Sequence, residues 1–407
     1  MRQKVWSICR SLILEWAIGC ILPQLVEEVE FSFANEMPSC KDWAPINAFQ
    51  TIMRIIAIVS GRVISGHELA HNPEWIELSV SFTTDVFKAA GKLKFFPSFL
   101  RPIVQHFLPE MKRIKRAYAT SHRLVDPVLK VRSEAAQWPG YVKPNDFVQW
   151  IADRMASEGL GYDQANMQLS FGLASIHTTA MTAVQIVYEL AARPNEYEML
   201  REDITEALRG SEGGSIDKHA LARMKKLDSF MKEVQRLHPL SHGMLSALKI
   251  PFVQFYSNHS NIVAWLRRIT APVTLSDVHF PTDTLVAIPA RPRAINSTNW
   301  PNSTAFDALR FYRMRERSAA DAHLHQFTSI PSDANMFPFG YGKHACPGRF
   351  FASQEIKVLL IYLILNYDLR VPSEGTRSHE RPVDFEIGLA IVPDPKILIE
   401  FKERTNL

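Results

Sequence analysis

From Asp163 to Ala192 the chain runs for about 30 residues with only Gly172 to disturb a helix, and Arg193-Pro194 ends it. At ~1.5 Å rise per residue such a helix is roughly 45 Å long, enough to cross a whole domain. Its text is apolar on most sides (Leu169, Leu173, Ile176, Val184, Ile186, Val187), so it must run through a core rather than lie on a surface. The remainder of the 407 residues then has to wrap around it.

The rest of the chain suits that role. Apolar residues recur at helical spacing over 27–37, 48–60, 75–93 and 101–122, and further helices are expected at 196–209, 217–223, 229–237 and 349–366. Strand-like text is short, β-branched and late: 272–275, 285–288, 368–371, 387–392 and 397–401. The expected fold is mainly α with small β-sheets, in one domain over 1–407. The basic stripe from Lys112 through Arg132 is read as a solvated helix face.

A net charge of +4 and the lack of a basic run interleaved with aromatics argue against a nucleic-acid partner. The four cysteines (Cys9, Cys20, Cys40, Cys346) include no C-x-x-C pair and are too scattered for a disulfide framework. Near the N-terminus an apolar stretch runs from Leu12 to Leu22. Glu15 interrupts it, and it falls short of the ~20 residues of a membrane span, so it is read as an amphipathic or buried helix rather than an anchor.

The densest chemistry lies in Phe337-Pro-Phe-Gly-Tyr-Gly-Lys-His-Ala-Cys346-Pro-Gly-Arg-Phe-Phe351. Gly340, Gly342 and Gly348 allow positive φ and close approach to a flat ligand. Cys346 stands just before a helix starting near Arg349, whose N-terminal N–H groups favour a thiolate. Zinc would require more ligands nearby, and only His344 is close. One thiolate in a glycine-framed loop suits the axial ligand of a haem iron, whereas a lone cysteine without this frame would be read as structural.

Phe339-x-x-Gly342-x-His344-x-Cys346-x-Gly348 resembles the haem-binding signature of the cytochrome P-450 monooxygenases, with His344 where arginine is usual. The form is similar to versions in filamentous fungi. The resemblance implies haem b bound through Cys346, with Phe339, Gly340, Gly342, His344, Gly348 and Arg268 around it. It implies that Glu233 and Arg236, three apart on one helix, join Arg310 in a buried network bracing the haem loop. It further implies that Ala174-Ser-Ile-His-Thr178-Thr179 is the oxygen-activation segment, with Thr178 or Thr179 passing protons and His177 where an acid is usual. Electrons would come from NADPH through a cytochrome P-450 reductase.

The expected activity is oxidation of a small apolar secondary metabolite, such as a terpenoid, in a fungal pathway, with substrate contacts near 171–175 and 388–391. A haem-thiolate isomerase or dehydratase, or a remnant that has lost haem, are the rival readings. The family resemblance implies the surface of the endoplasmic reticulum membrane; with no anchor read here, a cytoplasmic location is the alternative. Against the family pattern, the chain reads as a P-450 fold lacking its N-terminal part. Residues 1–20 are atypical, and 243–266 read as an insertion.

Overall fold

A computed structural model describes residues 21–97, 99–240, 266–287, 290–330, 335–342, 345–372, 380–387 and 390–404. These fall into two compact units. The first takes the described residues of Met1–Leu227, Phe350–Val383 and Pro393–Leu407; the second takes those of Asp228–Arg349 and Asp384–Val392. His344, Cys9, Cys20, the N-terminal 20 residues and most of the expected insertion lie outside the described residues.

The first unit is built on helices α1 (Leu22–Glu36), α2 (Ala48–Ile64), α3 (Pro73–Lys94), α4 (Pro109–Ala135), α5 (Phe147–Glu158), α6 (Gln164–Ala191) and α7 (Pro194–Arg209). The long helix α6 is the expected one. Asp163 caps it by accepting the Asn166 N–H, and Arg193-Pro194 follows its last turn. It packs against α2, α3 and α4, and Ala180, Ala183, Val184, Ile186, Val187 and Tyr188 are fully buried.

A three-stranded antiparallel sheet closes this unit in the order β1 (Ala44–Asn47), β9 (Leu398–Glu403), β6 (Tyr367–Arg370). Alternation along β9 sends Ile399 and Phe401 inward. Strand β1 was not read from the sequence, because Pro45 and Asn47 mask a four-residue strand that only its partner defines.

Two expectations are corrected here. Residues 101–122 do not form one helix: a single turn at Arg101–Val104 is followed by α4 from Pro109, which continues past Pro127 to Ala135. The basic stripe is not uniformly solvated. Arg132 is buried, and its guanidinium is shared between Asp146 at 2.7 Å and Glu68 at 2.7 Å. Asp146 also caps α5 through the Gln149 N–H. This triad anchors the far end of α4, beyond Pro127. Gly66, at φ +83°, passes directly over the triad, where an added Cβ would come within 2.5 Å of the Arg132 guanidinium.

The buried carboxyl of Glu355 sets a pH dependence. It stands on α10 (Arg349–Asn366), accepts the Ser60 hydroxyl at 2.6 Å, and burial pushes its pKa up to about 8. The folded state therefore holds a proton that the unfolded chain has lost, so stability falls as pH rises from the acid range through about 8. His177, whose pKa burial lowers to about 4, works oppositely, but only below its ordinary 6.5. Between pH 6.5 and 8 unfolding free energy is expected to drop by roughly 1–2 kcal/mol. Denaturant titrations of Glu355→Gln across that range should show the slope removed; an unchanged slope would refute the assignment.

The second unit carries helices α8 (Lys225–Leu237, from Asp228 onward) and α9 (Arg310–Arg317) and three short antiparallel pairs. These are β2 (Leu266–Arg268) with β5 (Leu285–Ala287), β3 (Val273–Leu275) with β4 (Val278–Phe280), and β7 (Asp384–Ile387) with β8 (Ala390–Pro393). Trp300, Phe311 and Met336 form its small apolar cluster.

Candidate active site

Cys346 is the focus of the second unit. Its N–H donates to the Phe339 carbonyl at 2.7 Å, while Gly340 N–H bonds Phe337 O and Ala345 N–H bonds Gly342 O. Gly340 (φ +79°) and Gly342 (φ +62°) take the left-handed backbone that the turn requires. Gly348 does not, which corrects one of the three expected positive φ values. A Cβ placed on Gly342 or Gly348 would meet nothing within 4 Å. At Gly348, two residues from the sulfur, the glycine keeps space open rather than relieving strain.

Cys346 is half-buried as a residue and forms no disulfide. Burial of the group pushes its pKa up, while N–H bonds from Gly348 and Arg349 and the charge of Arg349 pull the other way. Gly348 immediately precedes α10 and Arg349 is its first residue, so the start of that helix faces the sulfur. Arg349 also donates to the Cys346 carbonyl at 2.9 Å. Phe339 meets Phe327 edge-on, with ring centres 5.4 Å apart.

Glu233, Arg236 and Arg310 are brought together. Arg236 grips Glu233 with two bonds of 2.8 and 2.7 Å, and Arg310 Nε lies 3.1 Å from both carboxylate oxygens. Glu233 and Arg236 are fully buried. The spare guanidinium donors run outward to backbone: Arg236 to Ala294 O, Ser303 O and Ala305 O, Arg310 to Pro301 O, Asn302 O and Ala305 O. The Asp307 N–H completes the carboxylate shell at 3.1 Å. An irregular stretch of chain with many carbonyls is thus tied to one helix. The sequence reading missed Asp228 and Lys232 on the same helix, although their i, i+4 spacing among buried apolar residues was visible.

Arg268 lies at the end of β2, exposed, with its guanidinium 3.5 Å from Asp283. It is available for an anionic group, and no buried carboxylate claims it.

In the first unit, α6 is buried on every side but one. Phe171, Ala174, Ser175 and Thr178 are only partly covered, and they fall at i, i+3, i+4 and i+7, one face of the helix. The Ser175 hydroxyl donates to Phe171 O at 2.9 Å, and the Thr178 hydroxyl points back to Ala174 O at 2.9 Å and Ser175 O at 3.2 Å. With their protons spent on the helix, both residues show mainly carbon and oxygen lone pairs to the open side. Thr179 and His177 are buried away from that stripe. His177 Nδ1 has no partner, and its pKa near 4 keeps the ring neutral at physiological pH.

A cysteine beside a helix start and an open glycine is an arrangement that could offer one sulfur ligand to a haem iron. The cytochrome P450 family model matches residues 24–248 and 259–399, breaking only across part of the expected insertion. The chain is 35% identical to cytochrome P450 monooxygenase braC of Annulohypoxylon truncatum over 95% of its length and 72% of that protein. It is 35% identical to cytochrome P450 monooxygenase olcJ of Penicillium canescens, over 96% of this chain and 69% of the other. Retinoic acid bound cyanobacterial CYP120A1 matches in fold at TM-score 0.67 and 17% identity, covering 98% of this chain and 78% of that one. The chain belongs to the cytochrome P450 family and is an oxidoreductase of the monooxygenase type. The family carries haem bound through a thiolate and receives electrons from a redox partner. No helix among the described residues is long and apolar enough to cross a membrane.

Proposed function

We propose that Cys346 ligates the iron of haem b, that an NADPH-dependent cytochrome P450 reductase supplies the electrons, and that the substrate is a small apolar secondary metabolite of the terpenoid kind. The observation that carries this reading is the sulfur of Cys346 receiving the N–H groups of Gly348 and Arg349 beside an unfilled glycine. When bound, such a haem supplies the reductive activation of dioxygen and the oxidation of a C–H bond.

The protein's own residues have defined tasks. The N–H groups of Gly348 and Arg349 favour negative charge on the sulfur against the burial that pushes its pKa up. Arg268 offers its exposed charge to a cofactor carboxylate, with His344 at the position where the family has a second cation. The Phe171–Ala174–Ser175–Thr178 stripe gives an apolar molecule a surface with little hydrogen-bonding demand, which favours terpenoid-like substrates. Thr178 Oγ1, its own proton committed to Ala174 O, accepts a hydrogen bond from water and so holds a proton donor in place. His177 serves as a neutral ring rather than a cationic acid, and Thr179 is buried. Glu233, Arg236 and Arg310 maintain the backbone of the second unit. Contact with a membrane surface, as in the endoplasmic reticulum, is supported by exposed Phe95, Phe99, Ile103 and Phe107 within one short segment.

The deciding experiment is the carbon-monoxide difference spectrum of the reduced protein. A strongly red-shifted Soret band is expected. Protein that takes up no haem would favour the remnant reading, and haem without the shifted band would overturn Cys346 as ligand.

A further inference from the structure

Residues 324–329 hang from one face of α8. Lys232, 1% exposed, donates to the Leu324 carbonyl at 3.3 Å, the Gln326 carbonyl at 2.7 Å and the Ser329 hydroxyl. One turn earlier Asp228 accepts the Phe327 N–H at 2.8 Å and the Arg315 guanidinium at 3.0 Å. Phe327 is fully buried, and its ring stands at 86° to that of Phe339. The carbonyl of Phe339 receives the N–H of Cys346. An unbroken series of contacts therefore links the Asp228 carboxylate to the backbone of the cysteine.

Burying an aspartate and a lysine costs desolvation that a solvated helix face avoids. Here Lys232 is directed at one short segment without regular structure beyond a single 3-10 turn, Ala322–His325, and Asp228 divides its carboxylate between that segment and Arg315. Such a segment has no ladder of its own to fix it, so the side chains of α8 determine where Phe327 sits. Because interiors are close-packed, a shift of that ring passes to Phe339 rather than being absorbed. We infer that Asp228 and Lys232 are positioning residues for the Cys346 sulfur, acting through Phe327 and Phe339. The inference rests on the haem-thiolate reading and adds to it the groups that aim the ligand.

The test follows the reduced carbonyl complex as it converts from the shifted, thiolate-ligated band to the unshifted, thiol-ligated one. Asp228→Ala leaves both the Phe327 N–H and the Arg315 guanidinium without their acceptor and is expected to speed conversion roughly tenfold or more, the scale of a lost charge-assisted bond. Asp228→Asn keeps an acceptor oxygen for the Phe327 N–H but loses the charge opposite Arg315, and is expected to restore part of the wild-type rate. Phe327→Leu keeps the backbone bond, removes the ring contact and should act in the same direction as Asp228→Ala; it decides the matter if that variant does not fold. Ser121→Ala, which breaks a buried 2.7 Å bond to Ala165 O in the other unit, should lower the unfolding midpoint without changing conversion. Conversion equally fast in wild type, Asp228→Ala and Phe327→Leu overturns the inference, as does an equal acceleration by Ser121→Ala. A wild-type protein with no shifted band overturns the haem-thiolate reading instead.

Discussion

Glu233→Gln should cost about 3–5 kcal/mol of folding free energy, the range for removing one partner of a buried charge cluster. The carboxylate accepts from Arg236, Arg310 and the Asp307 N–H at once. A carboxamide keeps one acceptor oxygen and turns an NH2 toward guanidinium donors, so a donor faces a donor where a bond had been. The two guanidiniums would then lie buried with their charge uncompensated, held only by carbonyls. Urea titration gives the magnitude. The exposed pair Arg154–Glu158, at 2.6 Å, is the comparison: Glu158→Gln should change stability by less than about 1 kcal/mol. Equal effects from the two substitutions would show that burial does not set the worth of the Glu233 network.

That network illustrates what the chain's text reveals. The i, i+3 spacing of Glu233 and Arg236 on a helix showed only that they could pair, and the family resemblance placed them with Arg310 in a buried network. The backbone carbonyls that take up the remaining donors were not legible, since they lie in an irregular stretch with no periodicity to read. The same contrast separates α6 from α4. Helix α6 carries its own start and stop, Asp163 and Arg193-Pro194, and it was read to within a residue. Helix α4 runs through Pro127 to a last turn where Glu68 and Asp146, both outside it, hold Arg132. A tertiary tie of that kind turns an arginine of an apparently solvated stripe into a core residue. Helix α5 could have been found: Asp146 caps its start and Gly159, at φ +62°, ends it in the left-handed region.

Replacing Cys346 with serine should erase the red-shifted carbonyl band and reduce turnover by roughly 10³-fold or more, as when an enzyme loses the group on which its chemistry depends. The exchange changes one atom and keeps the Phe339 hydrogen bond, which uses the backbone N–H. Folding should therefore change little, and circular dichroism of the two proteins should superimpose. The two N–H groups from Gly348 and Arg349 favour charge on sulfur against the burial that pushes its pKa up, and a thiol is in general far easier to ionise than an alcohol. An alcohol is several pKa units further away, and two hydrogen bonds do not close that gap. Haem that still entered the serine variant would sit beside a neutral oxygen, without the electron donation that favours cleavage of the dioxygen bond. If pigment, band position and turnover all survive the substitution, the ligand is another residue.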